Sequence, residues 1–172
     1  MRACYYLIML GLLGACASAG TNTDQTLTTA SVDTAAEVAR IDDTYALWRT
    51  AVETADIPSY VSVLHPDVRM FPPGAPVVAG SGSYASFLGP VFATATYRIE
   101  VTKMPAIEVF GDLAMVEYEY IIHLTLKDAE TGVSEPGALT ANRTRSQYFD
   151  VLRKNDAGKW GVWRHTWRVM PD

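Results

Sequence analysis

Apolar side chains at Val38, Ile41, Tyr45, Trp48 and Val52 follow one another at spacings of three, four, three and four residues. That period lays one apolar stripe along a long helix and turns Arg40, Asp42, Asp43, Arg49 and Glu53 toward water. Just ahead, Thr34-Ala-Ala-Glu37 has the form of a capping box, in which a hydroxyl and a carboxylate take up unpaired N–H groups of the first turn. Asp56 is placed to cap a short second helix, IPSYVSVL, with Pro58 in its tolerant first turn. HPDVRMF turns into a strand, and PPGAPVVAGSGS is a loop with a short extended piece. Ser81 or Ser83 can cap a third helix, YASFLGPVFA, which Pro90 would kink or shorten.

After Ala95 the period changes from helical to two. Tyr97, Ile99 and Val101 alternate with Arg98, Glu100 and Thr102, and two further β segments flank Gly111-Asp112, a hairpin signal. Val116, Tyr118, Tyr120, Ile122 and Leu124 share one face, with Glu117, Glu119, Ile121 and His123 on the other. DAETGVSEPG reads as a loop, LTANRTRSQYFDVLRK as a strand, NDAGK as a turn and WGVWRHTWRVM as the last strand. Helices come first and strands after, which predicts an α+β domain on an antiparallel sheet over residues 34–172.

The first 33 residues follow other rules. Met1-Arg2 is a minimal basic region, Ala3 to Leu13 is an apolar run, and Leu13-Gly14-Ala15 sets small residues before Cys16. This is a secretory signal pattern. The order Leu-small-small-Cys resembles the bacterial lipobox, which implies a signal peptide over 1–15 and lipidation of Cys16. Acylation there would anchor the protein to the membrane through its N-terminal lipid alone. Cleavage after Ala17 or Ala19 is the alternative. Residues 16–33, rich in Thr, Ser, Ala and Gly, read as a tether. Ala17 in place of aspartate favours the outer membrane, with the domain facing the periplasm.

Composition narrows the function classes. The chain has 172 residues, 49% of them hydrophobic, enough for one domain with a real core. A net charge of −5 argues against nucleic-acid binding, which needs a basic face to displace counterions. The glycine-rich GAPVVAGSGS matches neither a phosphate loop nor a dinucleotide fingerprint, and no metal-ligand spacing links His65, His123 and His165. No metal and no cofactor are expected.

Several stretches together resemble one family: Trp48 with Ala55-Asp56, LHPDVRMFPPG with VVAGSGSYASFL, VFGDLAMVEYEY, and QYFDVLRKNDAGKWGVWRHTW. Their order resembles the SnoaL-like branch of the nuclear transport factor 2-like superfamily, including the domain of unknown function 4440 group. The resemblance spans about Val38 to Val169. It implies a curved sheet wrapped over helices, an apolar pocket inside the resulting cone, and a homodimer through the sheet. The family hosts isomerases, cyclases, dehydratases and binding modules, so fold alone does not give the activity. By comparison with its ketosteroid isomerase members, the helix-one tyrosine position falls on Trp48, with Tyr45 nearby. The base position falls near Pro72, where no carboxylate stands; Asp67 reads as a turn residue.

The site candidates follow from strand period and chemistry. Trp163, His165 and Trp167 share a face of the last strand, and His165 is the candidate acid–base group. Tyr45, Trp48, Met70, Tyr84 and Phe87 would line the pocket from the helix side. Arg145, on the neighbouring strand with Arg143, is a candidate for an anionic group or a solvated strand residue. The leading expectation is a small, largely apolar or mixed-polarity molecule bound in the cone. The alternatives are a cofactor-independent lyase or isomerase working through His165, and a dimeric interaction module without a ligand.

Overall fold

The computed structural model describes residues 33–171; the signal segment, Cys16 and all but the last residue of the tether lie outside the described residues. Helix α1 runs Thr34–Glu53 and carries the expected stripe, with Ile41, Tyr45 and Val52 buried. Its cap is Asp33, whose carboxylate accepts from the Ala36 N–H at 3.2 Å, in place of the Thr34–Glu37 box. Glu37 is used otherwise. It turns inward and accepts from Trp160 Nε1 at 2.6 Å, Arg40 Nη1 at 2.9 Å and Lys154 Nζ at 3.0 Å, pinning the start of α1 to the sheet.

Helix α2 (Ile57–Ser62) is capped by Asp56 as expected, with Pro58 in its first turn. Strand β1 (Leu64–Phe71) and the two-residue β2 (Val78–Ala79) follow. Helix α3 (Ser81–Thr94) is preceded by Gly80 at φ +86°, and neither Ser81 nor Ser83 supplies a side-chain cap. Pro90 sits inside α3 without ending it. Burial of Leu88, Val91 and Phe92 around it outweighs the backbone bond it removes.

Strands β3 (Ala95–Phe110), β4 (Leu113–Leu126), β5 (Arg143–Lys154) and β6 (Trp160–Val169) form an antiparallel meander. The strand order is β2-β1-β6-β5-β4-β3. Because β1 pairs with β6 in parallel, the curved, unclosed sheet is mixed, where the strand pattern predicted an antiparallel one. A parallel pair needs a long crossover, and β2, α3 and strands β3 to β5 supply it between β1 and β6. The inner row of β4, Val116 through Leu124 in steps of two, is buried as the period predicts.

One irregularity positions the site. In the β5–β6 ladder Leu152 faces Val162, but Val151 faces Arg164, so Trp163 is an extra residue on β6. This β-bulge shifts the alternation by one. Val162 is buried inward, and after the bulge His165 stands opposite Asp150 and Trp167 opposite Tyr148, both on the inner row. Trp163 is thereby removed from the face it was expected to share with His165 and Trp167. Arg164 stacks on its ring at 3.5 Å and Arg153 at 5.5 Å.

Candidate functional site

The helices and the inner sheet face line a cavity of about 100 Å³ that is partly open to solvent. Six expected residues line it: Trp48 from α1, Met70 from β1, Tyr84 and Phe87 from α3, and His165 and Trp167 from β6. Gly137, Ala138 and Leu139, from the loop between β4 and β5, complete the wall. Gly137 holds φ +87°, and a Cβ there would come within 2.9 Å of Pro72 Cβ and 3.1 Å of Ala75 Cβ. The loop reaches this close packing because the position has no side chain.

Among the described residues, Asp150 is the hydrogen-bond partner of the His165 ring. Its Nδ1 lies 2.7 Å from Asp150 Oδ1. The carboxylate is 1% exposed, and its Oδ2 accepts from the Tyr45 hydroxyl at 2.7 Å and the Tyr118 hydroxyl at 2.9 Å. Burial, reinforced by the adjacent Asp150 charge, pushes both hydroxyls well above the usual tyrosine range, so both remain protonated donors. With Nδ1 donating to this acceptor, Nε2 is left as the nitrogen for a ligand. Tyr148 and Trp167, with ring centroids 5.8 Å and 5.2 Å from the imidazole, fix its plane. A histidine oriented by a buried carboxylate in an apolar, partly closed pocket can accept and return a proton.

Tyr45 stands behind His165, beside a smaller adjoining cavity that also touches Asp150 and Tyr118. It reaches the site through the carboxylate and does not line the main cavity. Arg145 falls on the outer row of β5, where its guanidinium pairs with Glu119 at 2.9 Å, away from the cone. Trp163 is likewise outside, for the bulge described above. The other histidines do not converge on His165: His123 Nε2 lies 2.9 Å from Glu100, and His65 Nδ1 accepts from the Asp67 N–H at 3.1 Å. No carboxylate comes from the Pro72 region; the one in the site comes from β5.

A second polar element faces the cone. The Tyr60 and Tyr84 hydroxyls lie 2.7 Å apart, and burial holds Tyr60 up to about 12 and Tyr84 well above its usual range. Two hydroxyl protons serve one mutual bond, so one O–H remains for an oxygen in the cavity. Asp150 itself was not among the sequence candidates. Its signal is a carboxylate in step with Ser146, Tyr148 and Leu152 on β5.

A family model described as a SnoaL-like domain matches residues 41–165. No curated protein matches the chain in sequence. Solved structures share the fold at low identity. A ketosteroid isomerase-like protein from Erwinia carotovora atroseptica SCRI1043 is 24% identical, with a TM-score of 0.61 over 79% of this chain and 98% of that one. A nuclear transport factor 2-like superfamily protein from Salmonella enterica serovar Typhimurium is 17% identical, with a TM-score of 0.67 over 81% and 94%. A type 2 hexachlorocyclohexane dehydrochlorinase is 14% identical, with a TM-score of 0.65 over 81% and 88%. With the family model covering well over half of the sequence and the α+β cone in place, this chain belongs to the SnoaL-like domain family, with a nuclear transport factor 2-like fold.

Proposed function

We propose that the cone is the active site of a cofactor-independent lyase or isomerase acting on a small, largely apolar molecule. The observation that carries this reading is the His165–Asp150 pair clamped by Tyr45 and Tyr118 at the wall of an apolar cavity. Nε2 of His165 takes a proton from a substrate C–H or O–H, and the Asp150 carboxylate stabilises the imidazolium that forms. The spare hydroxyl proton of the Tyr60–Tyr84 pair faces an oxygen that gains charge in that step. The imidazolium then returns its proton to another substrate atom, an isomerisation, or to a departing group, an elimination. Solved neighbours named for isomerase-like and dehydrochlorinase proteins share this scaffold, which is consistent with such chemistry but carries only the fold.

Deuterium wash-in tests the reading without knowledge of the substrate. A panel of small cyclic ketones and enones in D₂O is followed by NMR, with wild type against His165→Gln and Asp150→Asn. Exchange by wild type that falls by roughly 10²–10⁴ in His165→Gln is expected. Saturable binding of panel members with no exchange and no turnover would return the cone to a binding module. The apolar lining favours that second reading.

The address is part of the same proposal. Leu13-Gly14-Ala15-Cys16 supports a lipid-anchored domain in the cell envelope, facing the periplasm from the outer membrane. A Cys16→Ser protein that still fractionates with membranes would overturn it. Outside the cone, Phe71, Met115 and Phe149 are each about two-fifths exposed on the outer sheet face, which supports a homodimer through that face.

A further inference from the structure

Among the described residues seven tyrosines are buried, and, Tyr148 apart, they differ in what their hydroxyls meet. Tyr45 and Tyr118 donate to Asp150, Tyr60 and Tyr84 meet each other, and Tyr120 accepts from Arg49 at 3.1 Å. Tyr97, on β3, is the exception: among the described residues its hydroxyl is the one buried tyrosine oxygen with no hydrogen-bond partner. The residue is 9% exposed, packs edge-on against Phe92 at 5.8 Å between ring centroids, and lines the same cavity as His165. A phenylalanine would keep that packing without burying a polar group. Leaving a hydroxyl unpaired in such a place is unfavourable, so an orphan beside a cavity points to a group that comes from outside the chain.

Position defines what that group is attached to. In the strand order, β3 is separated from β6 by β4 and β5, and the curvature of the sheet turns both ends onto one cavity. The wall that Tyr97 and His165 share is largely apolar, with Ile122, Leu88 and Val91 among its residues beside the tyrosines. Burial keeps the Tyr97 proton in place up to about 12, so the hydroxyl meets a ligand as a neutral O–H.

We infer that Tyr97 is a second, remote hydrogen-bonding subsite of the cone. The molecule bound there is apolar in the middle and carries a carbonyl, ether or hydroxyl oxygen at the end away from His165. The inference rests on the reading of the cone as a ligand site and adds the class of ligand. Tyr97 touches no atom of the His165–Asp150 pair, so it is a specificity residue and not part of the proton relay.

Two probes of nearly equal shape test it: 6-acetyl-2-naphthol, with an oxygen at each end, and 6-isopropyl-2-naphthol, with a hydroxyl at one end only. Both are titrated calorimetrically into the folded domain of wild type and Tyr97→Phe, and the melting temperature of each unliganded protein is recorded. The expected result is a loss of roughly five- to tenfold in affinity for the acetyl probe in Tyr97→Phe, with the isopropyl probe changed less than about twofold. The unliganded variant should melt no lower than wild type. Equal changes for the two probes, or a clear fall in the unliganded melting temperature, would overturn the subsite while leaving the cone as a ligand site. Failure of both probes to bind wild type would overturn the ligand reading and the subsite together.

Discussion

The sheet carries two histidine–carboxylate pairs of nearly the same length. His123–Glu100 spans 2.9 Å on the outer face and His165–Asp150 spans 2.7 Å on the inner one. Their surroundings differ more than their geometry. The outer side chains are 27% and 48% exposed, and water competes for both partners. The inner ones are 12% and 1% exposed, and the carboxylate takes two further O–H bonds from Tyr45 and Tyr118. A pair in water contributes little and holds its geometry loosely. A pair out of water is costly to break and keeps the imidazole in one orientation, which is what proton transfer requires.

The largest expected effect separates the two pairs by activity. Once a substrate is in hand, His165→Gln or Asp150→Asn should lower kcat/KM by roughly 10²–10⁴, while His123→Gln leaves it within about twofold. Equal losses at both histidines would remove the distinction.

Stability should separate them next. Asp150→Ala strands an imidazole N–H and two tyrosine hydroxyls in the core, and urea unfolding should show a loss of about 3–5 kcal/mol. Glu100→Ala leaves its partner in water, and the urea midpoint should move far less than in Asp150→Ala.

These two pairs also show how far the sequence reaches. The inner register of β4 was legible because Val116, Tyr118, Tyr120, Ile122 and Leu124 stand opposite two glutamates and a histidine. That of β5 was not, because Phe149 and Val151 are as apolar as Tyr148 and Leu152, so nothing in the alternation assigns Asp150 to the core. Strand period placed Trp163 with His165, and a one-residue bulge undid that; bulges depend on the partner strand and leave no local pattern. The stripe of α1 survived folding, with Ile41, Tyr45 and Val52 buried. The capping box did not, since Glu37 found stronger partners in Lys154 and Trp160, which are more than a hundred residues away.

A smaller effect tests the cavity wall. Gly137→Ala places a methyl against Pro72 and Ala75 in a left-handed backbone conformation, which should cost about 1–2 kcal/mol and weaken cone ligands by displacing residues 137–139. Thermal melts and titration with the acetyl probe would read both. An unchanged affinity would mean that this loop does not close the site.

The smallest effect is in the acid limb of stability. Hydrogen bonds from Lys154 and then Trp160 hold Glu37 below the usual glutamate value of 4.5, and the His123 hydrogen bond lowers Glu100 in the same direction. A carboxylate whose pKa is depressed on folding contributes stability that is full above its unfolded value and is lost as pH falls through its folded value. Urea midpoints taken from pH 6 downward should therefore fall less steeply in Glu37→Gln than in wild type, with a weaker change in Glu100→Gln. An acid limb unaltered by Glu37→Gln would place the titrating groups elsewhere.

The central claim is that Asp150 holds His165 with its proton on Nδ1 and its Nε2 free toward the cone. Long-range ¹H–¹⁵N correlation spectra of the imidazoles test it directly, on wild type and Asp150→Asn near neutral pH. The expected result is a His165 ring in the Nδ1–H tautomer, its proton shifted downfield by the carboxylate, with both features lost in Asp150→Asn and His123 unchanged. A His165 ring protonated on Nε2 in wild type, or indifferent to Asp150→Asn, would contradict the account.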